Sequence, residues 1–260
     1  MSLIEEMEAV SKEAGGILLE VAEKGMSVTR KSSHELVTTA DLRSEEFLKG
    51  RLSELLPGAG FMGEETSGAE FPEPPFWVVD PLDGTNNYAH GFPMFCVSVA
   101  LWDGSGVTFG CVYDPLRDEC FRAEAGGGCL LNGEPVFCTE RRELSECLVA
   151  TGFPYHRRRE DLGMDLGALK YFLQRVQGVR RGGSAALDLA YVACGRLDGF
   201  FEEHLKPWDM AAGCLLVTEA GGRVTAYEGG EWRLGSGGVV ASGPHVHRHM
   251  RRGVDPNRNG

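Results

Sequence analysis

Residues 76–88 read FWVVDPLDGTNNY, an apolar run ending in two carboxylates three positions apart, Asp80 and Asp83, with the Thr85 hydroxyl two positions further on. A buried strand holds its last residue rigidly, and Pro81 fixes the next φ and keeps the chain from continuing the ladder. Asp80 and Asp83 can then project from one corner, close enough to share hard cations. Oxygen donors with no His or Cys beside them suit Mg²⁺ or Mn²⁺. Gly84 allows a tight turn, beyond which free N–H groups can receive phosphate oxygens at a helix start. Alone, the two aspartates are equally compatible with ordinary turn residues, because Asp is common in turns.

Three further segments carry acids in comparable places. MGEET at 62–66 is a strand ending in paired acids, Glu64 and Glu65. LVTTAD at 36–41 ends with Asp41 at a helix start, and KPWDMAAG at 206–213 places Asp209 at the beginning of an apolar helix. Either of the last two, in isolation, is only a favourable charge near a helix dipole.

Taken together, the segments resemble the inositol monophosphatase family. The resemblance is carried by WVVDPLDGTNNYAHGFP, GEE, LVTTAD, GGSAALDLAYVACGRLDGFFE and PWDMAAG, in family order and over most of residues 30–220. It implies an α/β (α+β) fold, a layered αβαβα sandwich with a mainly antiparallel N-terminal sheet and a smaller mixed C-terminal sheet. It also implies dependence on two or three Mg²⁺ ions with Mn²⁺ as a possible substitute, inhibition by Li⁺, a small phosphorylated substrate and a homodimer.

By matching motif positions, Glu64, Asp80, Asp83, Asp209 and the Leu82 carbonyl look like metal ligands. Thr85 and Asp41 look like the pair that polarises the attacking water, with Glu64 beside it. Gly84 and Thr85 match N–H contacts to the phosphate, Asp83 matches a substrate-binding position as well as a metal ligand, and Gly183, Ser184, Ala185 and Glu202 match the segments that hold substrate hydroxyls. Glu202 is chosen over Glu203 by its seven-residue distance to Asp209. The stretch from Lys31 to Asp41 is about one residue shorter than in the animal enzymes, which bears on substrate breadth.

The chemistry follows from charge. A phosphate monoester is a dianion that an acidic site repels unless cations overcompensate. Two Mg²⁺ ions roughly 3.5–4 Å apart can clamp the attacking and leaving oxygens of an in-line displacement. Fructose-1,6-bisphosphatase, histidinol-phosphatase and 3′-phosphoadenosine phosphatase activities would use the same carboxylates. Some bacterial members of the family act as partners of RNA and the transcription machinery, which is a different class of function.

Composition bounds these readings. The 260 residues are 42% hydrophobic and 25% charged, an ordinary globular balance. The net charge of −12 argues against direct, salt-driven nucleic-acid binding. The acidic start MSLIEEMEAV lacks a signal-peptide pattern and no apolar run is long enough to span a membrane, so a cytoplasmic protein is expected. The eight cysteines contain no CxxC pair and read as reduced, semi-buried or core thiols, five of them at nine-residue spacing.

The elements that must position these residues can be read from periodicity. Helical spacing covers 3–22, and a second helix covers 41–56 with Thr39 as its cap and Leu42, Phe47, Leu48, Leu52 and Leu55 inward. Short strands follow at GFMGEE and FWVVD. MFCVSVALW and VTFGCVYD form a hairpin around an Asp-Gly turn, and further strands follow around Asn132-Gly133. From about residue 144 strands alternate with helices at 161–177, 184–194 and 208–220, with strands at LDGFFE, 223–226 and 238–242. This suggests an N-terminal subdomain, 1–143, with most ligands, and a C-terminal one, 144–260, with a single ligand and the hydroxyl contacts. HVHRHM at 245–250 reads as a solvated helix, although as a strand its histidines would line one face and could bind a transition metal. HRRRED at 156–161 and VRR at 179–181 read as a solvated loop and helix end or, alternatively, as a partner or dimer contact, and 251–260 as a frayed tail. His90 reads as structural, and Trp208 as packing that fixes the helix start at Asp209.

Overall fold

The computed structural model describes residues 2–25, 27–30, 36–68, 70–154 and 166–255. Helix α1 (Leu3–Lys24) buries Met7, Val10, Ala14, Leu18 and Val21 on one stripe, and the Glu5 carboxylate accepts the Ser2 N–H at its start. A two-stranded ladder, β1 (Val28–Arg30) with β2 (Leu36–Thr38), leads into α2 (Thr39–Leu55). The cap of α2 is Thr38 rather than Thr39: its Oγ1 accepts the Ala40 N–H while Asp41 accepts back from the Thr38 N–H. Leu42, expected inward, is 52% exposed, because the buried face of α2 starts with Ala40, Asp41, Ser44 and Glu45.

A seven-stranded sheet follows, in the order β3 (Gly60–Gly63), β4 (Phe76–Asp83), β5 (Cys96–Trp102), β6 (Val107–Asp114), β7 (Glu119–Glu124), β8 (Gly128–Leu131) and β9 (Glu134–Pro135). Only β3 and β4 pair in parallel; the remaining pairs are antiparallel hairpins. Asn132 and Gly133 both take positive φ, as the tight β8–β9 turn requires. The ladder does not end at Pro81 as expected. It bulges between Asp80 and Asp83 and resumes at the Asp83–Cys96 pair. A short helix, α3 (Thr85–Ala89), starts immediately afterwards.

The five-stranded sheet has the order β11–β10–β12–β14–β13, built from β10 (Leu148–Thr151), β11 (Gly178–Arg180), β12 (Gly199–Glu203), β13 (Arg223–Ala226) and β14 (Gly238–Ser242). It is mixed, with β10 parallel to β11 and β12. Val179 and Arg180 thus belong to an edge strand, with Arg181 just beyond it, and the stretch is not a helix end. Helices α4 (Leu166–Leu173), α5 (Ala185–Ala193), α6 (Pro207–Glu219) and α7 (His247–Val254) complete the chain. The expected helices at 161–177, 184–194 and 208–220 correspond to α4, α5 and α6, with 161–165 outside the described residues.

Three apolar cores define five layers. One lies between α1, α2 and the large sheet. A second lies between the two sheets around α5 and α6, and a third between the small sheet and α4 with α7. Sandwiched between sheets, α6 is buried from Met210 through Val217 and shows no polar face there. Strand β4 is buried on both faces, and its alternation sends Trp77 and Val79 into the outer core and Phe76 and Val78 into the central one. Among the described residues no helix is long and apolar enough to cross a membrane.

Two expectations at the C-terminus are overturned. His247 is buried, with Nδ1 3.0 Å from Ser242 Oγ and Nε2 3.2 Å from Thr225 Oγ1, and burial pushes its pKa down to about 4. Residues 251–254 are not frayed: they belong to α7, where Arg251 donates to the Ala226 and Tyr227 carbonyls. Residues 256–260, the basic loop at 156–161 and residues 31–35 of the shortened loop lie outside the described residues. The cysteines are free thiols, all buried except the half-buried Cys194, and the spacing of nine brings Cys111 and Cys120 side by side on adjacent strands, Sγ to Sγ 3.5 Å.

Candidate active site

The bulge at the end of β4 sets the centre of the site. Asp80 continues the face of Phe76 and Val78, so it points into the layer where α6 begins; its strand partner Ser98 donates to the Trp208 carbonyl there. Asp80 Oδ1 accepts the Leu82 N–H at 2.9 Å, which closes the turn over Pro81. Glu64 follows β3 and extends the parallel ladder by one bond, its N–H donating to the Val79 carbonyl at 3.2 Å. Asp209 lies in the first turn of α6, where its Oδ2 accepts the Lys206 N–H at 2.7 Å.

These pieces meet in one cavity. Glu64, Asp80, Asp83 and Asp209 line it, together with the Leu82, Gly84 and Thr85 turn and with Gly183, Ser184, Ala185 and Glu202. Asp41 is the one predicted site residue outside the lining. It is buried behind Thr85, whose Oγ1 donates to Asp41 Oδ1 at 2.8 Å and also lies 3.0 Å from the Leu82 carbonyl. One hydroxyl hydrogen can serve only one of these acceptors at a time. Asp41 is held from the other side by Thr38, whose N–H and Oγ1 reach Oδ2 at 2.7 and 2.6 Å.

Asp83 and Ser184 are partners. Ser184 Oγ and the Ala186 N–H both donate to Asp83 Oδ2 at 2.7 Å, so the hydroxyl of Ser184 faces the carboxylate. Gly84 takes φ +97°, and a Cβ there would lie 2.8 Å from the Met94 carbonyl oxygen, so only glycine makes this turn without strain. Alternation along β12 sends Glu202 to the cavity side, and Glu203 does not line it.

Electrostatics mark the cavity. Burial, then the charges of Glu64, Asp83 and Asp209, push the Asp80 pKa well up. Burial pushes Asp83 up to about 6 against the opposing bonds from Ser184 and Ala186, and burial with the Asp83 charge raises Asp209. Glu202 is pushed up to about 8, first by burial and then by Asp188. Carboxylates that raise one another in this way form a hard-oxygen donor set that positive charge relieves. The donor chemistry therefore fits divalent cations held by Glu64, Asp80, Asp83, Asp209 and the Leu82 carbonyl. Among the described residues no three such side chains are already drawn into a closed ligand shell.

Sequence reasoning missed four lining residues, Gly152, Phe153, Arg181 and Leu205. A Cβ at Gly152 would run into the Glu202 carboxylate, so glycine there makes room for the acid. Arg181 lies over the Phe153 ring at 5.7 Å, and its charge opposes the upward shifts of Asp83, Asp188 and Glu202. Its position beside the GGSAA segment was the one available signal.

Comparison with known proteins gives consistent results. The sequence model described as the inositol monophosphatase family matches residues 2–254. An inositol-1-monophosphatase of Mesorhizobium japonicum is 41% identical over 232 residues, covering 89% of this chain and 87% of that protein. A protein named Nus factor SuhB from Xylella fastidiosa is 40% identical over 227 residues, covering 86% and 82%. Among solved structures, the extragenic suppressor protein suhB of Bartonella henselae superposes with a TM-score of 0.91 at 37% identity, covering 98% of this chain and 99% of that one.

Proposed function

The chain belongs to the inositol monophosphatase family, and from that premise we propose that it is a Mg²⁺-dependent phosphomonoesterase acting on inositol monophosphate or a similar polyol or sugar phosphate. The observation that carries this reading is the convergence of Glu64, Asp80, Asp83 and Asp209, from both halves of the chain, on one cavity walled by Thr85 and Glu202.

Divalent cations held by the four carboxylates and the Leu82 carbonyl would supply the positive charge a phosphate dianion needs and would acidify the attacking water. Thr85 gives its hydroxyl hydrogen to Asp41 and so turns its oxygen lone pairs toward the water. Asp41 holds the Thr85 hydroxyl in that orientation, since burial raises its pKa and makes it a strong acceptor while Thr38 fixes its second oxygen. Glu64, which also lines the cavity, orients the same water and accepts its proton. The N–H groups of Gly84 and Thr85, at the start of α3, bind the phosphate oxygens. Ser184 Oγ and the Ala185 N–H are committed to Asp83, so Gly183, Ser184 and Ala185 shape the wall that faces the substrate, and the Glu202 carboxylate accepts from its hydroxyls. No covalent phosphoenzyme is required.

The test is a panel of phosphate esters, including inositol 1-phosphate, fructose 1,6-bisphosphate, histidinol phosphate and 3′-phosphoadenosine 5′-phosphate, assayed with Mg²⁺ and with and without Li⁺. Turnover of inositol phosphate that needs Mg²⁺ and falls with Li⁺ supports the reading. Preference for another ester on the panel reassigns the substrate while keeping the site.

The relatives named Nus factor favour a second reading, a partner protein of the transcription machinery. Absence of turnover on every ester would promote it.

A further inference from the structure

The buried face of α2 begins with polar residues where the rest of the helix is apolar. Asp41, Ser44 and Glu45 are 0%, 0% and 1% exposed. Their spacing of three and four positions puts them on one side of the helix. Each reaches a different segment of the candidate site. Asp41 Oδ1 accepts from Thr85 Oγ1, Ser44 Oγ donates to the Pro81 carbonyl at 3.0 Å, and Glu45 Oε2 accepts the Glu65 N–H at 2.9 Å. The second contact lies between Asp80 and Leu82, and the third is one residue from Glu64.

Gly63 completes the third contact. A Cβ there would overlap the Glu45 carboxylate, so glycine lets that carboxylate lie against the β3 backbone and reach the next turn. Stability does not account for Glu45. Among the described residues its Oε1 is buried without a hydrogen-bond partner, and an apolar side chain would cover the same surface without desolvating a charge. Neither Ser44 nor Glu45 lines the cavity.

The geometry points to Ser44 and Glu45 as positioning residues that, with Asp41, clasp the Glu64, Asp80–Asp83 and Thr85 segments onto one helix and so fix the cation ligands relative to one another. This rests on the reading of the cavity as a divalent-cation site. Three bonds from a single helix remove independent motion of the segments, so ordering them need not be done by the cation.

Mn²⁺ binding to the metal-stripped full-length protein, followed by electron paramagnetic resonance, tests this alongside melting in EDTA. Glu45→Leu and Ser44→Ala are expected to weaken Mn²⁺ binding roughly 10–100-fold, the range for groups that orient metal ligands, while melting in EDTA stays a single cooperative transition well above the assay temperature. Glu45→Gln keeps an acceptor for the Glu65 N–H and should bind like the wild type. Should Glu45→Leu not fold, Ser44→Ala carries the test alone. Wild-type binding in Glu45→Leu and Ser44→Ala overturns the inference, as does Glu45→Gln binding as weakly as Glu45→Leu, which would make charge rather than the hydrogen bond the cause. Absence of Mn²⁺ binding by the wild type sinks instead the cation reading beneath it.

Discussion

Removing a carboxylate from the candidate site should stabilise the metal-free protein. Asp83 is the best case, because Ser184 Oγ and the Ala186 N–H share one of its oxygens, Oδ2. The Asn side chain of Asp83→Asn can present its single oxygen to both donors and place its amide where Oδ1 stood. The pKa of Asp83 is raised from 3.8 to about 6. At about 1.4 kcal/mol per pH unit, ionising it in the folded, metal-free state costs about 3 kcal/mol. Because the folded value is raised, this stability is fully present below about pH 4 and is lost as pH rises through about 6. Asn does not titrate, so Asp83→Asn should match the wild type near pH 4 and exceed it by about 3 kcal/mol at pH 8. At about 2 °C per kcal/mol for a chain of this size, the gain is roughly 6 °C in melting temperature. Mg²⁺ at about 1,000 times its Kd should reverse the comparison, since it returns about 4.1 kcal/mol to the wild type and little to the variant. Differential scanning calorimetry in EDTA at pH 4.5 and pH 8, and in Mg²⁺ at pH 8, reads all of this. A variant that melts below the wild type in EDTA at pH 8, or a gain at pH 4.5 as large as that at pH 8 rather than about 1 kcal/mol, would refute the reasoning.

Thr85→Ala keeps the carboxylates but removes the hydroxyl between Asp41 and the water, so kcat should fall roughly 10²–10⁴-fold with a smaller change in KM; a KM defect with unchanged kcat would make Thr85 a binding residue instead. Glu202→Ala should lower kcat/KM for inositol 1-phosphate more than for glycerol 2-phosphate, and Glu203→Ala should do little; the reverse pattern would contradict the strand register used here. His247, pushed down to about 4, stays neutral in the fold, so its stability is present above pH 6.5 and lost as pH falls toward 4. His247→Gln should flatten that part of a urea-denaturation profile by up to about 1.4 kcal/mol per pH unit, and an unchanged slope would show that α7 does not depend on a neutral ring.

The acids that line the cavity each end or begin an apolar run, Asp80 and Asp83 after FWVV, Glu64 after GFM and Asp209 before MAAG, but that pattern alone also fits turn and helix-start residues, and the resemblance to the family singled them out. The hairpins were legible because their turns carry Asp103-Gly104 and Asn132-Gly133. What could not be read was set by packing between distant segments. Leu42 looked like a core residue from its apolar side chain and spacing, and the pattern is inverted there because the neighbours of that helix face are backbone donors, acceptors and a hydroxyl. Strand β11 is three residues at a sheet edge, too short for a period. His247 sits in a polar string whose burial depends on α7 docking against β13 and β14. Gly152, Phe153 and Arg181 join the cavity through loops that follow parallel strands, which no local pattern announces.

The central claim, that carboxylates from both halves act as one cation site for phosphoester hydrolysis, is tested most directly by the rate of phosphate release from inositol 1-phosphate as Mg²⁺ is varied, in the wild type and in Asp209→Asn. The account predicts a wild-type rate that vanishes in EDTA and returns with Mg²⁺. Asp209→Asn, folded by its melting curve, should need far more Mg²⁺ and reach a lower maximum. Hydrolysis that survives EDTA, or an Asp209→Asn curve that overlays the wild type, would contradict it.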